Sequence, residues 1–155
     1  MKFGRVETRN AEGAILAHAV QAGAVRLPKA RRLTHEDVRM LLDAGVAEIV
    51  AAVLDPGDAG ENEAAAALAA RLVASGIEMR AAATGRANLH AVDAGVVRVD
   101  AAAVNAFNAV DPAITLATLA DFATVEAGQM VATVKIIPFA VPREALDRAA
   151  AAAGG

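Results

Sequence analysis

Thr34-His35-Glu36-Asp37-Val38-Arg39-Met40-Leu41-Leu42-Asp43-Ala44-Gly45-Val46-Ala47-Glu48-Ile49-Val50-Ala51-Ala52-Val53-Leu54 reads as a capped helix running into a buried strand. Thr34 stands where an N-cap belongs, and Glu36 and Asp37 put carboxylates in the first turn, where the helix dipole favours them. Val38, Leu41 and Leu42 recur at helical spacing with Met40 beside them, and Gly45 supplies the positive φ that ends the helix. Residues 47–54, apolar apart from Glu48 and carrying β-branched side chains, read as a buried strand. A helix and a strand joined this tightly assign the chain to the α/β (α+β) class, a mixed β-sheet scaffold with an inserted α/β lobe.

Toward the amino end, Phe3, Val6 and residues 14–20 predict two strands around the turn Asn10-Ala11-Glu12-Gly13, paired as a hairpin. Residues 25–33 are interrupted by Pro28, which cannot donate to a sheet ladder and so favours an edge or a loop. Toward the carboxyl end, the loop Asp55-Pro56-Gly57-Asp58-Ala59-Gly60 leads to an alanine-rich helix over 61–75, closed by Gly76. Strands follow at 77–83 and 96–99, with a polar loop over 84–90 between them. Asp100 caps a helix to about residue 110 that puts Val104 and Phe107 on one face. Residues 114–119 and 130–137 are strands around the turn Glu126-Ala127-Gly128-Gln129. Pro142 opens a last helix, which fades into the alanines at 149–153 and a linker ending in Gly154-Gly155. The expected organisation is one domain over 1–141, with a β-rich lobe (1–54 plus 114–141) and an α/β insertion (56–110), followed by a terminal helix and linker at 142–155.

Composition narrows the function. Fifteen Lys and Arg against eighteen Asp and Glu give a net charge of −3 in 155 residues, and the cations are scattered apart from Lys29, Arg31 and Arg32. With four Phe and no Trp or Tyr there is little to stack on bases, so no nucleic-acid partner is expected. The sequence has neither a long apolar run nor a signal-peptide core, so no membrane partner is expected and the chain reads as soluble and cytoplasmic. Without Cys there is no disulfide or thiolate chemistry, in keeping with a reducing compartment. Phosphate-binding glycine fingerprints are absent, and His18, His35 and His90 are too far apart in sequence to form a metal-ligand motif. The one serine, Ser75, precedes Gly76 at a helix end, where no nucleophile elbow forms. Carboxylate pairs such as Asp55 with Asp58, or Glu61 with Glu63, read as a solvated loop and an acidic helix start. No catalytic residues and no metal site are predicted.

What remains is a polar cluster, Thr84-Gly85-Arg86-Ala87-Asn88-Leu89-His90, which combines a hydroxyl, a flexible backbone, a guanidinium and an amide. These groups suit a phosphate or a polar heterocycle. The alternative is a turn in which Gly85 supplies a positive φ, Asn88 bonds its own backbone and Arg86 is solvated. Asn105, Asn108 and Asp111, at helical intervals, either face that loop or cap the helix end. Lys135, amid Val131, Val134, Ile136 and Ile137, must snorkel to solvent or find a partner.

Leu27-Pro28-Lys29-Ala30-Arg31-Arg32-Leu33-Thr34-His35-Glu36-Asp37-Val38, followed by Leu41-Leu42-Asp43-Ala44-Gly45-Val46-Ala47-Glu48-Ile49, resembles a passage of the molybdopterin molybdenumtransferases, where Gly often replaces Ala30. Three further blocks resemble the amino-terminal segment of bacterial molybdopterin-binding proteins, some of which continue into a nucleotidyltransferase domain. They are Thr84-Gly85-Arg86-Ala87-Asn88-Leu89, then Asn108-Ala109-Val110-Asp111 with Ile114-Thr115-Leu116-Ala117-Thr118-Leu119, and Gly128-Gln129-Met130-Val131-Ala132-Thr133-Val134-Lys135-Ile136-Ile137-Pro138-Phe139-Ala140-Val141-Pro142. The resemblance implies an accessory, non-catalytic domain in molybdenum cofactor biosynthesis or transfer. It implies molybdopterin or the molybdenum cofactor as the cofactor concerned, and a pterin-binding domain downstream of Val141. Thr84, Gly85, Arg86, Asn88, Asn108, Asp111 and Lys135 are then the candidates for touching a pterin or nucleotide ligand. A homo-oligomer is the other expected partnership. A small enzyme with a site assembled at a dimer interface, or a structural oligomerisation domain, are the competing readings.

Overall fold

In the computed structural model residues 1–153 are described, and the first element is a strand, β1 (Lys2–Glu7). After a 3-10 turn come β2 (Ile15–Leu16), the hairpin β3 (Val20–Ala22) and β4 (Val25–Leu27), helix α1 (His35–Asp43) and β5 (Glu48–Val53). These form one compact unit, Met1–Asp58. Helix α1 starts where its capping signal stands. Thr34 Oγ1 accepts the Asp37 N–H at 3.2 Å and Asp37 Oδ2 accepts the Thr34 N–H at 3.0 Å, a reciprocal box that satisfies two free donors of the first turn. Its buried face, Val38 and Leu41, packs with Leu16, Leu27, Leu33 and Ile49.

Both early strands pair with β5, in the order β1-β5-β2 with antiparallel ladders, instead of with each other as a hairpin. The reason lies in β5. Ile49, Ala51 and Ala52 are buried on both of its faces, so it takes the centre of the sheet and needs a neighbour on each edge. Pro28 ends β4 as expected. The chain beyond it then runs alongside β2, where the Leu16 N–H reaches the Arg31 carbonyl at 3.0 Å and the Leu33 N–H reaches the Ala14 carbonyl at 2.8 Å.

Strand β6 (Asp58–Gly60) leads into α2 (Glu61–Arg71), β7 (Ile77–Met79), β8 (Arg86–Ala91), β9 (Gly95–Val96) and α3 (Ala101–Asn108). β10 (Ile114–Thr118), β11 (Thr124–Val125), β12 (Met130–Ile136), β13 (Ala140–Pro142) and α4 (Arg143–Ala153) complete the described chain. From Ala59 onward these elements form the second compact unit. It is built on a four-stranded antiparallel sheet in the order β10-β12-β8-β7. One face buries Ala87, Ile114, Leu116, Val134 and Ile136 in a core shared with Ala64 and Leu68 of α2, Phe107 of α3 and Leu146 of α4.

The chain is thus mixed α/β, but its partition differs from the expected lobes. The strands at 114–118 and 130–136 join β8 and β7 and do not return to the first lobe, because β12 finds its register against Arg86–Ala91. The expected loop over 84–90 is therefore a two-residue turn followed by a strand. Helix α2 stops at Arg71, short of 75, where the Leu72 N–H turns back to the Ala69 carbonyl and tightens the last turn. Pro142 closes β13, and α4 begins at the next residue. The expected linker at Gly154-Gly155 lies outside the described residues.

Candidate functional site

Residues opposite each other in an antiparallel ladder share a face, and so do residues two apart along a strand. The registers Thr115↔Lys135↔Arg86 and Ala117↔Thr133↔Asn88 therefore put two rows of mostly polar side chains on the face opposite the helices. Glu78 and His90 extend this face toward β7. The sequence nominated Thr84, Gly85, Arg86, Asn88 and Lys135, and the structure brings these five together at one end of β8 and β12.

Most of them are already engaged. Thr84 (φ +50) and Gly85 (φ +69) form the two-residue tip of a hairpin in which Ala83 and Arg86 exchange both backbone hydrogen bonds at 2.9 and 3.0 Å. Two successive positive φ values are the signature of a turn whose twist matches its strands. The tip is held from three sides: the Gly85 N–H donates to Asn62 Oδ1 at 2.7 Å, the Gly85 carbonyl accepts the Ile136 N–H at 2.7 Å, and Lys135 Nζ donates to the Thr84 carbonyl at 2.5 Å. A Cβ on Gly85 would come within 2.7 Å of both Glu61 Oε2 and the Ile136 carbonyl, so glycine is required by space as well as by φ. The Thr84 hydroxyl donates to the Ala83 carbonyl. Asn88 Oδ1 accepts from the Thr133 hydroxyl at 2.7 Å rather than from its own backbone. The Arg86 side chain is exposed and makes no hydrogen bond or ion pair with the described residues.

Asn108 and Asp111 do not join this group. Asn108 makes a two-way bond with Leu116, donating to its carbonyl at 2.9 Å and accepting its N–H at 2.7 Å, which docks the end of α3 on β10. Asp111 accepts the Ala113 N–H at 2.8 Å and turns the chain into β10. Lys135 avoids burial as expected, lying on the open face with its ammonium on the Thr84 carbonyl. Sequence reasoning missed Asn62 and Thr133, because their bonds to Gly85 and Asn88 join segments well apart in the sequence.

In the first unit the cation group resolves differently. Arg31 holds Asp37 through two bonds of 2.9 Å, and the Asp37 side chain is only 1% exposed. The guanidinium, helped by the Thr34 N–H and hydroxyl, keeps the Asp37 carboxyl below the usual carboxylate range despite its burial. At the chain start, the terminal ammonium bonds Asp55 and Asp58, which raises the amine's pKa and lowers that of Asp58.

On the helix side of the second unit lies a cavity of about 260 Å³, lined by Leu72, Leu89, Val104, Phe107, Leu116 and Ala132 among others. No group of three or more His, Asp or Glu side chains among the described residues is placed to hold a metal ion. His90, buried on the sheet, has an Nδ1 without a hydrogen-bond partner among them. No helix among them is long and apolar enough to cross a membrane.

Residues 5–53 match a family described as a domain of unknown function (DUF8806). The match falls wholly inside the first unit. No curated protein and no solved structure matches the chain.

Proposed function

We propose that the chain is a non-catalytic accessory module of a cytoplasmic molybdopterin-binding protein, acting in molybdenum cofactor biosynthesis or transfer by positioning a pterin-binding domain. The observation that carries this reading is where the three sequence blocks resembling such proteins lie. They are separate in the sequence, yet β8, β10 and β12 lie side by side in one sheet. A resemblance spread over separate segments thus falls on one structural element. The side chains within it mostly knit that element together: Asn88 to Thr133, Asn108 to Leu116, Lys135 to Thr84. Groups committed to internal bonds are suited to presenting a rigid surface, and poorly suited to moving protons at a reacting atom.

Calorimetric titration tests the reading. The chain is titrated with molybdopterin alone and with a molybdopterin-loaded pterin-binding domain. Saturable heat with the loaded domain is expected. Turnover of molybdopterin by the chain unaided, or no heat with the loaded domain at millimolar concentration, overturns it.

A further inference from the structure

Arg86 and Lys135 are direct cross-strand partners on the open face of the sheet. Side chains in that relation start about 5 Å apart at Cβ, and like charges placed so repel. Sheets ordinarily put a carboxylate or a neutral group there. Only part of the repulsion is relieved inside the fold. Lys135 gives one N–H to the Thr84 carbonyl, leaving two, whereas Arg86 has no partner among the described residues. Beside them the Thr133 hydroxyl donates to Asn88 Oδ1, which fixes the amide so that its Nδ2–H₂ group stays open.

The free groups of Arg86, Lys135 and Asn88 are therefore all donors: a guanidinium fork, an ammonium and an amide NH₂. An acid is near: Glu61 Oε2 stands beside the same Gly85 tip as Lys135 Nζ. Glu78 pairs with Arg80 at 3.9 Å.

We infer that Arg86, Lys135 and Asn88 form a binding site for a doubly charged tetrahedral oxyanion, a free phosphate or the phosphomonoester of a small molecule. Two cross-strand positive charges match a dianion, and a planar fork beside a point charge suits an oxygen-rich acceptor. A monocarboxylate neutralises only one of the two charges. The inference rests on the proposed reading only for which face meets a ligand. The two are separable, because phosphate binding is measured on the chain alone and association with a pterin-binding domain is measured apart from it.

The test is a titration of ¹⁵N-labelled full chain with inorganic phosphate, followed by amide shifts at constant ionic strength, with chloride, acetate and a ribose 5-phosphate as parallel arms. Saturable shifts on β8 and β12 with phosphate, and weaker ones with acetate, are expected. Saturation by ribose 5-phosphate as well identifies a phosphomonoester site, while saturation by phosphate alone identifies a free-phosphate site. Arg86→Ala and Lys135→Gln should each weaken binding about tenfold, the loss of one charge-assisted contact. The Arg86 side chain bonds nothing among the described residues, so truncating it removes no bond of the sheet. Arg86→Lys, which keeps the charge but loses the fork, should fall between. Glu61→Gln, which removes a nearby negative charge, should tighten binding. Lys29→Ala with Arg32→Ala, in the other unit, should change nothing. Shifts that follow chloride equally, acetate binding as tight as phosphate, or unchanged affinity in Arg86→Ala and Lys135→Gln would each overturn the site.

Discussion

The two units handle polar side chains in opposite ways. In Met1–Asp58 a charge is taken inside: Asp37, almost wholly buried, is shared between the helix cap and the Arg31 fork, so one carboxylate fastens the segment before α1 to the helix itself. From Ala59 onward neutral amides, hydroxyls and backbone make the internal bonds, as at Asn62, Asn88 and Asn108, and the cations Arg86 and Lys135 are left on an open face. A buried charge costs several kcal/mol to desolvate and must be fully paired, so it serves one geometry. Neutral bonds cost less to bury, and they leave the charges free for something outside the fold.

The largest effect is expected where the second unit is tightest. Gly85→Ala forces a Cβ to within 2.7 Å of the Ile136 carbonyl at a φ of +69, and neither backbone can yield without breaking the β8 to β12 ladder. A loss of about 3 kcal/mol or more is expected, read as a lower denaturant midpoint and faster hydrogen exchange at β8 and β12 amides. Wild-type stability would show that the turn is not clamped.

In the first unit, Asp37→Ala removes the cap acceptor and two charge-assisted bonds together. About 2 to 3 kcal/mol is expected from the denaturant midpoint, because the partly exposed Arg31 can return to water. The pair also sets a pH dependence. The folded Asp37 carboxyl titrates below its unfolded value, so its stabilisation is complete at neutral pH and is lost as pH falls through the folded pKa. Acid unfolding below about pH 4 should therefore be less steep in Asp37→Asn than in the natural chain. Equal acid limbs would mean that the carboxylate is not held by Arg31.

Asn108→Ala sharpens the comparison from the neutral side. It leaves the Leu116 N–H and carbonyl without their partner where α3 meets β10. About 1 to 2 kcal/mol should be lost, less than at Asp37, because no charge-assisted bond is removed. A loss as large as that of Asp37→Ala would erase the distinction between charged and neutral fastening.

Sequence signals were legible where the physics is local. Thr34 and Gly45 bracket α1, Asp100 caps α3, and the β-branched runs at 114–119 and 130–137 contain β10 and β12, because each of these depends on neighbours within a few residues. Strand β8 was hidden. Its inward positions, Ala87 and Leu89, alternate with Arg86, Asn88 and His90, and the small Ala87 weakens the period-two pattern, so the stretch looked like a polar loop. The partition into units was not legible, since it depends on which distant strand β12 pairs with. The candidate site was half visible for the same reason. Its residue types stood out in sequence, but the bond from Thr133 to Asn88 and the facing of Arg86 with Lys135 exist only in the register.

The smallest effect tests the same backbone geometry in reverse. Ala30 sits at φ +65, close to the +69 of Gly85, with its N–H on the Leu16 carbonyl at 2.8 Å. An L-residue with a Cβ pays about 1 to 2 kcal/mol in this region. Ala30→Gly removes that strain but frees the unfolded chain, which offsets about 0.5 to 1 kcal/mol of the gain. A net stabilisation of about 0.5 kcal/mol is expected, as a higher denaturant midpoint with an unchanged slope. Gly85→Ala and Ala30→Gly exchange the same two residues at nearly the same φ, so the strain term alone makes them equal and opposite. The excess loss at Gly85 then measures what crowding by Glu61 and Ile136 adds, and a symmetric pair of shifts would show that the turn is limited by φ alone.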